Sequence, residues 1–423
     1  MGTELMTTEG PDMDFAARWR RVYGELGERL PALAASAKPL LSGFAACVDK
    51  TVDLHALAPA LAEATDPGAR AFLDDMLNRA MSGRGGETLV DWPGGPAFID
   101  RFVRPGAMSL GGTSAQAAWT LATIGAPAIL ALGDRCPDQL AVLHPDILLA
   151  DAEGGLVRKP DLAPTEAGKP AHYIVEYFAG RSVLGFTPSR STRVIVRFAD
   201  EDIEHDPNFR AYARSHAADC GPALLASPNA IKPRRFEPVL DELAAAASEW
   251  TSSGLSMIHM ELGDYPRPGT RDAAVSRLAP VITSLGLNLH ELDGFDLPGE
   301  TVSGRALNLA RRLGVTRLAV HADGWALAAV RGDPACEREA LMLGCLLASA
   351  RAEAGKPVGR PRIPEQAELA PPPTLELETL PGGWSIVCVP APFLRHPVST
   401  LGLGDTFTAG TMLAYAQSGD HDG

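Results

Sequence analysis

The chain has 423 residues, 46% of them hydrophobic and 21% charged, with a formal net charge of −14; this is apolar material for two domains, or one large α/β unit with an insertion, and it opposes a broad nucleic-acid surface. The longest apolar runs, PAILALG and LMLGCLLASA, fall well short of the ~18 residues of a membrane span, and the acidic N-terminus MGTELMTTEGPDMD does not read as a signal peptide, so a cytoplasmic location is expected. Six cysteines (Cys47, Cys136, Cys220, Cys336, Cys345 and Cys388) are scattered mostly through apolar segments without a CxxC pair and read as reduced core residues.

Along the chain, strand-like and helix-like stretches alternate, the pattern of an α/β sheet protein. LLSGFAACV, near 41–49, predicts a buried strand ending at Asp49. GGTSAQAAWTLATIG (111–125) predicts a helix opened by glycines and closed by one, feeding a strand in APAILALGD (126–134). HYIVEYFAG (172–180) and STRVIVRFAD (191–200) alternate polar with apolar residues, as half-exposed strands do. With residues about 53 to 108 they predict a small sheet covering one end of the main one. LLASPNAI, LSMIHMEL (255–262), the mixed segment TSLGLNLHEL (283–292), VTRLAVHAD (315–323) and GWSIVCVPAP (383–392) follow, most of them apolar throughout, as strands buried on both faces are. The proline-rich stretches KPDLAPTEAGKP and GKPVGRPRIPEQAELAPPP read as surface connections. The expected division is a large α/β domain of residues 1–52, 109–168 and 203–423, with a lid of residues 53–108 and 169–202.

Near the C-terminus stands TLGLGDTFTAG (400–410). A helix from about Thr406 to Gln417 puts Gly402, Gly404 and Asp405 at its N-terminus, where unpaired amides and the helix dipole favour an anion and glycines let it approach. Alone, this motif also reads as a capping aspartate at a glycine turn. Gly111 and Gly112 open a second helix, and Asp49 sits past a strand, where open α/β sheets put their ligands. HMEL and NLHEL add Glu261 and Glu291 near strand ends. Each has an ordinary reading too: His259 as a core histidine, Glu291 as a solvated helix residue, Asp49 as a cap.

In combination and in order, these motifs resemble the ADP-dependent glucokinase and phosphofructokinase family of ribokinase-like kinases, over roughly residues 40 to 416. The resemblance implies a large, mostly parallel sheet flanked by helices, with a β-rich lid. STLGLGDTFTAG is similar to the family's GLGDT signature, which implies that Asp405 is the catalytic base and that Gly402, Leu403 and Gly404 form the anion hole. HMEL resembles its HxE motif and NLHEL its NxxE motif, implying that His259, Glu261, Asn288 and Glu291 organise Mg²⁺, mostly through water. On the acceptor side the resemblance implies sugar contacts from Asp49, Glu87, Gly111, Gly112, Thr113 and His172, and a phosphate contact from Arg193. Thr113 and Ser114 follow Gly112 where the family usually has glutamine. The pocket there is expected to be roomier, with glucose a poor acceptor and a phosphorylated sugar a better one, its phosphate held by Arg181 or Arg193.

The chemistry fits these residue types. Phosphoryl transfer through a loose transition state needs positioning and charge stabilisation more than early proton transfer. A carboxylate with a pKa of about 4 can orient a hydroxyl and accept its proton late. The expected activity is Mg²⁺-dependent transfer of phosphate from a nucleotide, ADP before ATP, to a hydroxyl of a sugar or sugar phosphate. Two alternatives stay open: an ATP-dependent ribokinase-like kinase of sugars or nucleosides, and a non-catalytic relative that binds sugar or nucleotide. TFTAG is closer to ATP-using ribokinase-like enzymes, whereas an intact Asp405 and both acidic motifs argue against a mere binder.

Overall fold

A computed structural model describes residues 15–165, 168–229 and 231–417. In chain order its strands are β1 (Leu40–Gly43), β2 (Cys47–Asp53), β3 (Gly86–Leu89), β4 (Met108–Gly111), β5 (Ala128–Leu130), β6 (Leu149–Ala150), β7 (Leu156–Val157), β8 (His172–Tyr177), β9 (Thr192–Arg197), β10 (Ala223–Ala226), β11 (Ile258–Glu261), β12 (Ser284–Asn288), β13 (Arg317–His321), β14 (Trp325–Val330), β15 (Leu377–Leu380) and β16 (Trp384–Pro390). The main sheet has nine strands in the order β15-β16-β14-β13-β12-β11-β10-β1-β5. From β5 to β13 every pairing is parallel, and β14, β16 and β15 extend the sheet by antiparallel pairing. A fully apolar strand such as β10, with the sequence ALLA, needs cover on both faces; here helices supply it, with separate cores on the two sides of the sheet. Among the described residues no helix is long and apolar enough to cross a membrane.

The second sheet has five strands, β3-β9-β8-β2-β4. One face packs Val52, Val175, Tyr177, Val194 and Val196 against the helices Leu54–Glu63 and Pro67–Ser82. The other face looks into the cleft beneath it, which His172, Arg193 and Ile195 line. The polar alternation in β8 and β9 therefore separates core from cleft, not core from solvent, and the expected half-exposure is corrected: β8 is buried at five of its six positions.

Three further expectations are corrected. LLSGFAACV is not one strand: β1 belongs to the main sheet and β2 to the small one. Between them Phe44 takes a left-handed φ of 78°, a strained conformation for a side-chain-bearing residue. Its ring stacks on Trp250 at 5.8 Å and meets Phe209 edge-on at 5.7 Å, burial that offsets the strain. Asp49 consequently lies within the small sheet. A boundary at residue 52 falls inside β2, and β4 at 108–111 also belongs to the small sheet. The last helix is Leu403–Tyr415, starting three residues before the expected Thr406, so Asp405 lies in its first turn. It packs against the helix Pro334–Ala354, where a Cβ on Gly410 would come within 2.7 Å of the Gly344 backbone. That close crossing buries Thr406, Thr408 and Thr411.

Candidate active site

The parallel strands end along one edge, where α/β sheets collect their ligand groups. β11 ends on Glu261, β12 on Asn288 and β13 on His321. β16 runs in the same direction as β13, and its following loop leads to the 402–405 turn. The small sheet faces this edge across a cleft of about 1330 Å³, lined by residues of both sheets.

Gly402 is the N-cap of the last helix with a φ of 68°, a left-handed conformation that glycine adopts without strain. The amides of Leu403, Gly404 and Asp405 come too early in the helix for an intrahelical partner, whereas Thr406 N already bonds Gly402 O at 2.9 Å. Beneath the turn lies a group that motif reading missed, the buried guanidinium of Arg351, close enough that a Cβ on Gly402 would sit 2.5 Å from its Nη2. Arg351 donates to Thr406 Oγ1 at 2.9 Å and to Gln116 Oε1 at 2.6 Å. Burial lowers its pKa to about 10, and Asp405 and Asp49 oppose that fall, so it stays a cation at neutral pH. The available signal was an arginine inside the apolar run LMLGCLLASAR.

Asp405 lines the cleft together with Asp49, Gly112, Thr113, His172 and Arg193. Burial raises its carboxyl above the usual range, against the pull of Arg351, Arg193 and a hydrogen bond with Thr113. The Arg193 Nε is buried without a hydrogen-bond partner among the described residues. Arg181 instead pairs with Asp53 at 2.8 Å, with a side chain 47% exposed, and does not line the cleft, so its expected phosphate contact is corrected.

On the small-sheet side of the cleft, β2 and β8 run parallel with Asp49 opposite His172. Asp49 is almost fully buried, and a Cβ on Gly111 would fall 2.1 Å from its Oδ1, so the glycine makes room for the carboxylate. Burial pushes the Asp49 carboxyl up to about 6, with His172 opposing. Burial alone would lower the His172 imidazole, but Glu201, Asp49 and Glu87 raise it. His172 Nε2 pairs closely with Glu201, and Lys169 with Glu204, partners that motif reading did not include. Gly112 caps the helix Thr113–Ile124. Glu87 reaches across the cleft: its Oε1 accepts from Asn229 Nδ2 at 3.0 Å, its amide donates to Asp264 at 3.0 Å, and Arg197 lies 3.3 Å from Oε2.

The two acidic motifs are built differently. Both oxygens of Glu261 are occupied by protein: Oε2 by Thr408 at 2.8 Å and His259 at 3.2 Å, Oε1 by His321 at 3.2 Å. Burial would raise this carboxyl, but the hydrogen bonds and the histidines win and bring it down to about 2. Asn288 and Glu291 form a capping box, Glu291 N donating to Asn288 Oδ1 and Asn288 N to Glu291 Oε2, both at 2.9 Å. The NxxE spacing thus has a structural use of its own. The Glu291 carboxyl is nonetheless held well above its usual range by burial, with Glu261, Asp264 and Glu87 adding to the rise. Four carboxylates at one end of the cleft are a hard, oxygen-only set, the donor chemistry that suits Mg²⁺.

The conserved region of ADP-specific phosphofructokinase and glucokinase matches residues 38–295. No curated protein matches the sequence. Among solved structures, an ADP-dependent kinase in complex with fructose-6-phosphate and ADPβS is similar with a TM-score of 0.74 at 16% identity, covering 96% of this chain and 100% of its own. The last common ancestor of ADP-dependent phosphofructokinases from Methanosarcinales gives 0.70 at 16%, covering 96% and 99%. A hypothetical ADP-dependent phosphofructokinase from Pyrococcus horikoshii OT3 gives 0.68 at 17%, covering 90% and 98%. The expected α/β fold, a large mostly parallel sheet flanked by helices, is the one these structures share with this chain.

Proposed function

Since this chain belongs to the ADP-specific phosphofructokinase and glucokinase family, and so to the sugar kinases, we propose that it transfers the terminal phosphoryl group of ADP to a hydroxyl of a hexose phosphate, releasing AMP, with Mg²⁺ as cofactor. The observation that carries this reading is Asp405 in the first turn of a helix whose free amides open on the same cleft as Asp49, His172 and Arg193.

The acceptor hydroxyl oxygen attacks the β-phosphorus, the bond from that phosphorus to the bridging oxygen breaks, and AMP leaves with the electron pair. Asp405 orients the hydroxyl and takes its proton as the new ester bond forms. The amides of Leu403 and Gly404 and the Arg193 guanidinium stabilise charge on the transferred group. Arg351 sits behind the turn as a positioning residue, holding Thr406 and opposing the rise that burial imposes on the Asp405 carboxyl. When bound, Mg²⁺ would neutralise nucleotide phosphate charge. Glu291 is the residue to face its hydration shell, while Glu261, with its oxygens already engaged, would act through water.

A phosphorylated acceptor is favoured over free glucose by two observations. Gln116, one turn beyond the position where glutamine is missing, donates its amide to Leu110 O at 2.5 Å and accepts from Arg351, so it does not fill the gap beside Gly112. Arg79, Arg84, Arg190 and Arg193 line the same cleft; Arg79 pairs with Asp75 and Arg190 with Asp323, which leaves Arg84 and Arg193 as the cations to meet a phosphate. The test is a panel of ADP and ATP against glucose, fructose 6-phosphate and nucleosides, read by product mass. AMP and a hexose bisphosphate are the expected products. A specificity constant for glucose equal to that for hexose phosphate overturns the acceptor assignment, ATP-driven nucleoside phosphorylation overturns the donor, and binding without turnover overturns catalysis.

A further inference from the structure

The acceptor end of the cleft holds a set of donor atoms that phosphoryl transfer does not use together. Cys47 and Asp49 stand two apart on β2, so the pleat turns both to one face, and Asp49 is the register partner of His172 on β8. Backbone register, not a chance rotamer, brings the three side chains together. Cys47 Sγ lies 3.5 Å from Asp49 Oδ1 and 3.4 Å from His172 Nδ1, and Nδ1 lies 3.8 Å from Oδ1. A tetrahedral Zn²⁺, with bonds of about 2.3 Å to sulfur and about 2.0–2.2 Å to nitrogen and oxygen, spaces such ligand atoms about 3.4–3.6 Å apart. The observed triangle differs from that by a few tenths of an ångström.

A second observation points the same way. The other nitrogen of His172 pairs with Glu201, the carboxylate-behind-histidine arrangement that fixes the tautomer and directs the free lone pair at a metal. All three side chains line the cleft, leaving the fourth tetrahedral position on its open side.

We propose that Cys47, Asp49 and His172 form a binding site for a zinc-class divalent cation, and that its occupancy excludes the acceptor sugar. A thiolate, an imidazole and a carboxylate select a borderline-soft ion over Mg²⁺. On loading, the Cys47 S–H bond breaks, the sulfur keeps the electron pair and donates it to the metal, and the proton leaves to solvent with any proton held by His172. The exclusion half rests on Asp49 and His172 being acceptor ligands; the metal site does not.

The test uses the metal-free chain without nucleotide or sugar, titrated with Co²⁺ as an optical probe of sulfur coordination. One equivalent should raise a sulfur-to-cobalt charge-transfer band that Zn²⁺ displaces and Cys47→Ser abolishes. Glu201→Gln, which keeps all three ligands, should retain the band with Co²⁺ affinity weakened roughly 10–100-fold. No band in the parent chain, or one that survives Cys47→Ser, overturns the site. Saturating fructose 6-phosphate should suppress the band, and Zn²⁺ should inhibit competitively against that sugar. A band indifferent to the sugar overturns the exclusion and counts against the acceptor assignment, while leaving the metal site standing.

Discussion

Asp405 lines the cleft in the first turn of the last helix, and asparagine there keeps an oxygen for the hydrogen bond with Thr113 while losing the charge. Asp405→Asn should lower kcat by roughly 10²–10⁴-fold while thermal unfolding and ADP binding by calorimetry stay close to those of the parent; near-normal turnover would exclude it as the base. Arg351 acts on the same carboxyl from behind. It is the largest influence opposing the upward push of burial on Asp405, so Arg351→Met should raise that pKa further and leave less ionised base at a given pH. The acid limb of the kcat/KM profile should then move to higher pH, whereas a purely structural arginine would lower stability with the limb in place. Glu261→Gln and Glu291→Gln each remove a charge near the nucleotide end of the cleft. Each should raise the Mg²⁺ concentration for half activity, and an unchanged metal titration in both would reduce HMEL and NLHEL to structural segments. Glu291→Gln should also fold at least as stably as the parent, because burial, with Glu261, Asp264 and Glu87 adding to it, disfavours an ionised carboxyl at that position.

At the scale of elements, the 402–405 turn is held at once from the small sheet and from the helix Pro334–Ala354, which carries Arg351. Glu176 on β8 accepts from Ser399 Oγ at 2.8 Å and Thr400 N at 3.1 Å, pinning the segment just before Gly402. Its register partner across β8 and β9 is Arg193, so the residue that fixes the loop and the residue proposed to face the transferred group share one rung. Glu176→Ala should therefore lower kcat roughly 10–100-fold through misplacement of the turn, with ADP affinity retained; a loss confined to thermal stability would show that the pin does not position the turn. Motif reading placed Glu261 and Glu291 near strand ends because hydrophobic runs mark where buried strands stop; Glu261 does end β11, whereas Glu291 lies three residues past the end of β12 in the short helix Leu289–Asp293. It missed Thr408, His321 and Asn229, each of which reaches its partner from an element distant in sequence.

At the scale of the molecule, the small sheet touches the large unit through polar contacts that include Glu87 with Asn229 and Asp264, Arg190 with Asp323, and Glu176 with Ser399 and Thr400. Polar contacts of this kind suit a lid that closes over substrate and opens again. Asn229→Ala removes a hydrogen bond to a carboxylate, an interaction of about 1.5–3 kcal/mol, and should raise the acceptor KM about tenfold or more. If closure excludes water, the same variant should hydrolyse more ADP per sugar phosphorylated, measured as phosphate release beside product formation. An unchanged KM and an unchanged hydrolysis ratio would mean that Glu87 and Asn229 do not hold the lid.

Local pattern carried the alternation of strands and helices, the glycine-opened helix ends and the acidic strand termini, because burial on two faces, capping and φ above zero each impose a demand that neighbouring residues meet or fail within a few positions. Register and crossing were another matter. Whether LLSGFAACV is one strand or two depended on Phe44 finding Trp250 and Phe209, both far along the chain. Whether polar residues of β8 and β9 face water or a cleft depended on a second sheet lying opposite. The pairing of Cys47, Asp49 and His172, and the cation buried behind the 402–405 turn, exist only once β2 meets β8 and the helix Pro334–Ala354 crosses the last helix. Contacts between remote segments are set by the packing of whole elements, and no single stretch of chain contains that information.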